Sequence, residues 1–507
     1  MRCLSLATIL HERGAQVIFI CRDLDSNLNH LILNDFLLLV LPSACLDNHY
    51  PTLTGRDYYN SLLGVSQIDD ASDTINALQE SGIDYINWII VDHYSIDHEW
   101  QKVVLDSLNG SNNTNITRLF VVDDLADRTH IADVLLDQNY FSDGGQLRYK
   151  NLVPSHCLQL LGPYYSLLRS SYSTLRSLAC PRTHINRILV SFGGADLTNC
   201  TYKVLSALSS STFSSYHVDV VVGPQNPHLS TISKFVFAKA NFHLHHAPHN
   251  LAWLVSRADI AIGACGTSIW ERSCLMLPSI VITTTVDQYE IALALHRDSY
   301  IILLGRDQDV SEEDIRIFLT DNLKTILSKY SSCELTDGYG SSRVASLLVS
   351  PSFYKCRKVN KSDLSLLFFW ANESAVRNNS FSSEPISFST HQSWFEKGFN
   401  DPNRLHYLFT DNYNIPCGQI RFDRMIDDLN KAILDYSLDK SMRGKGLSKT
   451  MLGQAIGLAK AHWSGLSCII ADVLCTNLAS SNCLASLGFL QEKNASQKSF
   501  SRWSLDL

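Results

Sequence analysis

The sequence predicts an α/β protein made of three consecutive α/β parts, and three observations carry that reading. First, the apolar run Ala258-Asp259-Ile260-Ala261-Ile262 leads into Gly263-Ala264-Cys265-Gly266-Thr267-Ser268-Ile269-Trp270-Glu271-Arg272, a strand passing through a Gly-rich turn into a helix. Second, further apolar runs end the same way, on carboxylates or glycines, as expected of strands whose carboxyl ends face a cleft. Third, the character changes near Ser350, where Pro351-Ser352-Phe353 marks a boundary. The parts are residues 1–175, 176–350 and 351–507.

Composition sets the frame. A chain of 507 residues, 45% hydrophobic, is long enough for about three domains, each with a sizeable core. The net charge of -8, with Lys and Arg scattered, provides no basic stripe and argues against nucleic acid as a partner. The most apolar early stretch, Leu31 to Leu41, is broken by Asn34 and Asp35 and is too short for a bilayer, so no membrane partner is expected. The 14 cysteines fall singly, Cys45, Cys157, Cys200 and Cys265 among them, which suits a reducing cytoplasm better than a disulfide framework or zinc site. His243, His245, His246 and His249 cluster on what reads as a polar loop, more a solvated surface than a metal site, and no metal is expected.

The first part opens in a helical pattern from Met1 to Arg13, turns at Gly14 and enters a strand from Gln16 to Cys21. An α/β domain ordinarily places a strand before its first helix. The strand Asp84 to Val91 runs into Asp92-His93-Tyr94, and Arg118 to Val122 runs into Asp123-Asp124-Leu125-Ala126-Asp127-Arg128. Acidic residues at such turns also cap helices, so each carboxylate taken alone is equally well structural.

After a polar link near Ala179 to Asn186, the strand Arg187 to Val190 ends in Ser191-Phe192-Gly193-Gly194-Ala195-Asp196, and Asn199 precedes a helix through Leu208. The Gly193-Gly194 backbone and Asp196 are candidates for holding a diphosphate or hexose. Val218 to Val222 is a further strand. In the turn at 263–268, two glycines let backbone approach an anion, while Thr267 and Ser268 suit a helix N-terminus, so Gly263, Gly266, Thr267 and Ser268 read as a phosphate cradle. Glu271 follows one turn into the helix, where a carboxylate accepts from a ribose diol. The strand Ser279 to Ile282 then ends at Thr283-Thr284-Thr285-Val286-Asp287-Gln288, placing Asp287 and Gln288 at the edge where ligands bind in open α/β sheets.

Taken together these motifs resemble a family. Val-Asp-His-Tyr at 91–94, Asp-Asp-Leu-Ala-Asp-Arg at 123–128, Leu136-Asp137-Gln138-Asn139, Leu161-Gly162-Pro163-Tyr164-Tyr165, Leu168-Arg169 and the 263–272 turn are similar to the UDP-sugar hydrolases of the pseudaminic acid pathway. That family is related to the glycosyltransferase that makes lipid II. The resemblance covers roughly residues 1 to 345 and implies two Rossmann-like domains in a GT-B-like arrangement, with the 263–268 turn and Glu271 as nucleotide contacts. Met1-Arg2-Cys3 resembles the end of the family's Gly-His-x-x-Arg-Cys motif, whose histidine is the catalytic base. Two readings stay open: a start placed too late, or loss of the first strand and base, with His93 as a substitute base. Asp287 stands where the family has an Asn that contacts substrate.

In the third part, the strand Ala432 to Leu438 leads into Arg443-Gly444-Lys445-Gly446-Leu447-Ser448 and an amphipathic helix through Lys460. A basic Gly turn of this kind either caps a helix or binds a pyrophosphate through consecutive N–H groups. Arg-x-x-Gly-x-Ser resembles the acetyl-CoA signature of the GNAT N-acetyltransferases, and the strand Cys468 to Leu474, Asn477, Ser480, Ser481 and Leu487-Gly488-Phe489 resemble that family's ending. The resemblance implies acetyl-CoA as co-substrate, held by Arg443, Gly444, Gly446, Leu447, Ser448 and Asn477. Leu484 stands where many members have a Tyr that protonates the departing thiolate, which leaves Ser481 and Cys483 as nearby candidates. Trp370-Ala371-Asn372 and His391-Gln392-Ser393-Trp394-Phe395 resemble the subgroup acting on UDP-linked 4-amino-4,6-dideoxy sugars.

The expectation is a bifunctional enzyme. It would N-acetylate a UDP-4-amino sugar and hydrolyse the product to free sugar and UDP, the sugar's stereochemistry being left open. Two alternatives remain: an acetyltransferase whose hydrolase-like part only binds UDP-sugar, and a glycosyltransferase of the same two-domain fold.

Overall fold

Apolar runs buried on both faces become parallel strands because helices must cover each side of a sheet whose backbone is fully paired. The computed structural model describes residues 1–24, 27–44, 55–83, 85–110, 116–145, 147–176, 179, 182–329, 335–349, 354–492 and 499–507. Asp84, Cys45 and Pro351-Ser352-Phe353 lie outside the described residues. The chain divides into two compact units, Met1–Ser341 and Ser342–Leu507.

The first unit contains β1 (Ile18–Arg22), β2 (Leu37–Leu41), β3 (Trp88–Val91), β4 (Arg118–Val122), β5 (Val134–Asp137) and β6 (Leu158–Leu161). β7 (Arg187–Ser191), β8 (His217–Val222), β9 (Phe242–His246), β10 (Ile260–Gly263), β11 (Ser279–Thr283) and β12 (Ile302–Arg306) follow. They form three parallel sheets: β1-β2, β3-β4-β5-β6, and β12-β11-β10-β7-β8-β9. In the last sheet the two faces pack separate cores. Ile188, Val190, Ile260, Ile262, Ile280 and Ile282 bury on one side, and Leu189, Ala261 and Val281 on the other, as the period of two requires.

Two sequence expectations are corrected here. The strand expected from Asp84 begins at Trp88, because Tyr85, Ile86 and Asn87 lead up to a ladder that starts with Trp88 opposite Arg118. His243, His245 and His246 lie on β9 rather than on a loop. His245 Nε2 pairs with the buried Asp219 at 2.8 Å, and His243 stacks on His217.

The second unit is a mostly antiparallel sheet in the order β13-β14-β15-β16-β17-β19-β18. Its strands are β13 (Tyr354–Lys358), β14 (Arg404–Asp411), β15 (Pro416–Arg424), β16 (Lys431–Leu438), β17 (Cys468–Leu474), β18 (Leu490–Gln491) and β19 (Phe500–Asp506). Ile420, Phe422, Leu434 and Leu438 pack against Met451, Leu452, Ala455 and Ala459 of the helix Leu447–His462. The pair β16–β17 is parallel. It holds register for Lys431, Ala432 and Ile433 opposite Cys468, Ile469 and Ile470. Beyond that, β16 stays with β15 and β17 with β19, so the two strands part. Among the described residues, no helix is long and apolar enough to cross a membrane.

Candidate functional site

In the first unit, β7, β10 and β11 are parallel neighbours, so the turns that follow them lie side by side at one sheet edge. Crowding there is backbone against backbone. A Cβ on Gly263 would meet the Ser191 carbonyl oxygen at 2.0 Å, and one on Gly223 would meet the Gly194 carbonyl oxygen at 2.2 Å. Gly263 is thus required by close strand packing, whereas Gly193 and Gly194 are exposed, with nothing near a built Cβ. Asp196 spends both oxygens on its own helix, accepting from the Cys200 N–H at 2.8 Å and the Thr201 N–H at 3.0 Å.

The 263–268 turn is braced from below. Gln288 Oε1 accepts from the Cys265 N–H at 3.2 Å, and Arg272 donates to the Ala264 carbonyl and, at 3.3 Å, to the Ser268 carbonyl. Thr267 is exposed and Ser268 half-buried at the start of the helix Ser268–Cys274. Glu271 is half-buried beside Tyr172. Burial pushes its carboxyl above the usual range, against the opposing pull of Tyr172, Arg272 and Arg169. Burial of a carboxyl costs free energy that further donors offset, and a ligand hydroxyl pair is a suitable donor set for it.

The carboxylates after β3 and β4 carry a feature the sequence did not reveal. Arg2 donates to both oxygens of Asp92, at 2.6 and 3.0 Å, and to Asp124 Oδ2 at 2.7 Å. Cys3 Sγ donates to Asp92 at 2.9 Å, Tyr94 to Asp124 at 2.9 Å, and Asn139 Nδ2 to Asp124 at 3.2 Å. Burial at Asp92 opposes ionisation, but the Arg2 guanidinium outweighs it and holds the carboxyl below its usual range. Asp287 accepts a hydrogen bond from the Tyr59 hydroxyl. His93 Nδ1 accepts from the Ser95 N–H at 3.2 Å, and burial lowers its pKa. Tyr59 and Tyr172 had no sequence signal, lying outside any recognisable motif.

In the second unit, Gly444 and Gly446 follow β16 after the short turn of helix Lys440–Met442, with φ of 74° and 73°. This left-handed backbone suits glycine, and nothing lies within 4 Å of a built Cβ at either. The exposed turn leads into Leu447, whose side chain is buried in the core, and the half-buried Ser448. These features fit a pyrophosphate bound by backbone N–H groups. Arg443 points elsewhere, donating to Glu373 and, at 3.0 Å, to the Leu438 carbonyl. Asn477 uses Oδ1 to cap the helix Leu478–Ser486 through the Ser480 N–H at 3.1 Å.

The parting of β16 from β17 leaves a free strand edge. The Asp439 N–H bonds back to the Cys417 carbonyl on β15 at 2.9 Å. By the alternation of an antiparallel pair, Leu438 and Tyr436 therefore direct their N–H and C=O groups the other way, into the gap. Arg443 occupies the Leu438 carbonyl and leaves its N–H on that edge. On the sheet face away from the helix Leu447–His462, His406 Nε2 lies 2.7 Å from Gln419 Oε1, and Gln419 Nε2 donates to Ser437 Oγ at 3.3 Å and Asp435 at 3.4 Å.

Residues 356–490 match the Acetyltransferase (GNAT) domain family, and the second unit has that fold. The chain is 26% identical over 210 residues to the spore coat polysaccharide biosynthesis protein SpsG of Bacillus subtilis, a match covering 40% of this chain and 62% of that protein. It is 21% identical over 438 residues to the uncharacterized protein MJ1062 of Methanocaldococcus jannaschii, covering 80% of this chain and 81% of the relative. Among solved structures, spermidine N-acetyltransferase from Vibrio cholerae in complex with CoA and spermine aligns at a TM-score of 0.28 and 17% identity, over 30% of this chain and 95% of that one. A GNAT-family acetyltransferase from Streptococcus pneumoniae aligns at 0.27 and 18%, over 31% and 100%.

Proposed function

We propose that the chain N-acetylates a UDP-linked 4-amino-4,6-dideoxy sugar with acetyl-CoA as donor, in the biosynthesis of a surface or coat sugar. The observation that carries the reading is the parting of β16 and β17 ahead of the open glycine turn. That arrangement offers backbone N–H groups to a pyrophosphate at one end and the Leu438 N–H to a thioester carbonyl at the other. The uncharged amine attacks the carbonyl carbon, the C–S bond breaks, and CoA leaves as the thiol. No covalent enzyme intermediate is needed.

The first unit, on this proposal, holds the UDP-sugar, with the nucleotide at the exposed 266–268 turn and Glu271 on the ribose. The similarity to a spore coat polysaccharide biosynthesis protein supports a sugar substrate. The further step, hydrolysis of the acetylated UDP-sugar to free sugar and UDP as in pseudaminic acid synthesis, is the bifunctional form of the proposal. A specific observation favours binding without hydrolysis: Arg2 occupies Asp92 and Asp124, and Tyr59 occupies Asp287, which leaves these carboxylates engaged inside the protein.

One experiment separates the forms. The full chain, acetyl-CoA and a UDP-4-amino-4,6-dideoxy sugar are followed by proton and phosphorus NMR. An acetylated UDP-sugar that accumulates supports transfer alone, and release of UDP supports both steps. Absence of the acetylated product sinks the proposal. Glu271→Gln is expected to weaken UDP binding by about tenfold in calorimetry, the value of one charge-assisted hydrogen bond at about 1.4 kcal/mol.

A further inference from the structure

Tyr172 lies on the helix Ser170–Arg176, which packs against the helix Ser268–Cys274 that carries Glu271. Two contacts fix the pairing. Arg176 donates to the Cys274 carbonyl at 2.7 Å, and Gly338 is tucked so close that a Cβ there would meet the Ser173 backbone nitrogen and the Cys274 sulfur, each at 2.9 Å. The Tyr172 side chain is 2% exposed and packs in one core with Leu168, Ile269, Trp270 and Cys274. Its hydroxyl is buried and makes no hydrogen bond of ordinary length and angle among the described residues. The group it acts on most is the Glu271 carboxyl, half-buried beside it on the helix that opens at the 263–268 turn. Burial keeps the phenol protonated, so toward a carboxylate it is a donor.

A glutamate carboxylate that binds a ribose must first be ordered. Rotatable bonds separate it from the backbone, and most of their settings turn its oxygens away from the ligand. A buried phenol short of an acceptor has the complementary need, because its desolvated proton is uncompensated. One hydrogen bond meets both. When one Glu271 oxygen accepts from Tyr172, the carboxylate is held by a ring locked in its core, and the other oxygen remains for the ribose hydroxyls. We propose that Tyr172 is the positioning residue for Glu271 and so sets the preference of this site for a ribonucleotide. The phenol touches no ligand and acts through the carboxylate. This role rests on Glu271 being the ribose contact, as read above.

The test is calorimetric, on the full chain, with UDP and with 2′,3′-dideoxy-UDP, which lacks both ribose hydroxyls. Wild type is expected to bind UDP about tenfold more tightly than the dideoxy nucleotide. Tyr172→Phe keeps the ring and its packing and removes the donor. Its preference is expected to fall to about threefold or less, while its Kd for the dideoxy nucleotide stays within about twofold of wild type. In a Glu271→Ala background the same substitution is expected to change the preference by less than about twofold. An undiminished preference in Tyr172→Phe overturns the proposal, and so does an equal loss for both nucleotides, which marks a packing role. A fall in the Glu271→Ala background as large as in wild type also overturns it, because the phenol would then act without the carboxylate. A wild type that binds neither nucleotide, or both equally, removes the ribose reading of Glu271 itself, an outcome distinct from a selective wild type with an equally selective Tyr172→Phe variant.

Discussion

The indole N–H of Trp370 donates to Asp439 Oδ2 at 2.9 Å, with both side chains almost fully buried. Asp439 follows β16 directly, and its other oxygen accepts from the N–H and hydroxyl of Ser441 at 2.9 and 2.6 Å. Trp370 therefore braces the segment that joins β16 to the glycine turn. Asn372 plays a parallel part, clamping Ile386 through its N–H at 2.7 Å and its carbonyl at 3.0 Å.

Trp370→Phe removes the buried indole hydrogen bond to Asp439 Oδ2, an oxygen that also faces Arg343 Nε at 3.9 Å, at a cost of about 1–3 kcal/mol. The second unit is expected to melt several degrees lower, and KM for acetyl-CoA to rise as the turn loosens. Thermal unfolding with and without acetyl-CoA measures both. An unshifted melt would show that the brace carries no weight.

Gly446 and Gly453 differ by backbone rather than by neighbours, since nothing lies within 4 Å of a built Cβ at either. Gly446→Ala forces a Cβ onto φ of 73°, at about 1–2 kcal/mol of strain, and shifts the N–H groups offered to the pyrophosphate. KM for acetyl-CoA is expected to rise about tenfold, the equivalent of 1.4 kcal/mol. Gly453 lies inside the helix Leu447–His462 with nothing within 4 Å of a built Cβ. Gly453→Ala should stabilise by about 0.5–1 kcal/mol and leave KM alone. Steady-state kinetics and thermal melts on the pair check the contrast.

Acid should weaken the second unit through two imidazoles. Burial, then Arg377, pushes His391 down to about 4. Burial likewise pushes His406 to about 4, against the opposing hydrogen bond it donates to Gln419 Oε1, with Arg421, Asp435 and Arg404 around it. Each is neutral in the folded protein, while an unfolded imidazole titrates near about 6.5. Stability is thus fully present above about pH 6.5 and is lost as pH falls toward about 4, by about 2 kcal/mol per imidazole at pH 5. Hydrogen exchange of β14 and β15 peptides, corrected for intrinsic rates, should show protection falling between pH 7 and 5. His391→Phe and His406→Gln should each flatten that fall, and an equally steep fall in both variants would remove these imidazoles as its source.

Much was legible without coordinates because it depends on local rules. Alternating or continuous apolar runs mark strands, and the run Cys468 to Leu474 is β17 residue for residue. Glycines at positive φ mark the turn at 444–446. A residue type followed by its spacing also identified Glu271 and the turns beside it as neighbours at a sheet edge. Gly263 shows where this stops. Its glycine was read as room for an anion, but the space is filled by Ser191, a residue brought near only by strand order.

By itself, then, the sequence determined the α/β class, individual strand runs and the turns that carry exposed backbone, since each follows from short-range hydrophobic period and turn chemistry. Only the tertiary structure decided which polar groups are already engaged. Arg2 and Asp92 lie 90 positions apart in the chain, Tyr59 and Asp287 228, and Tyr436 and Ser480 44. Such partnerships depend on strand order and helix placement, for which a single sequence carries no local signal, and the free energy of a buried polar group is fixed by the partner it meets.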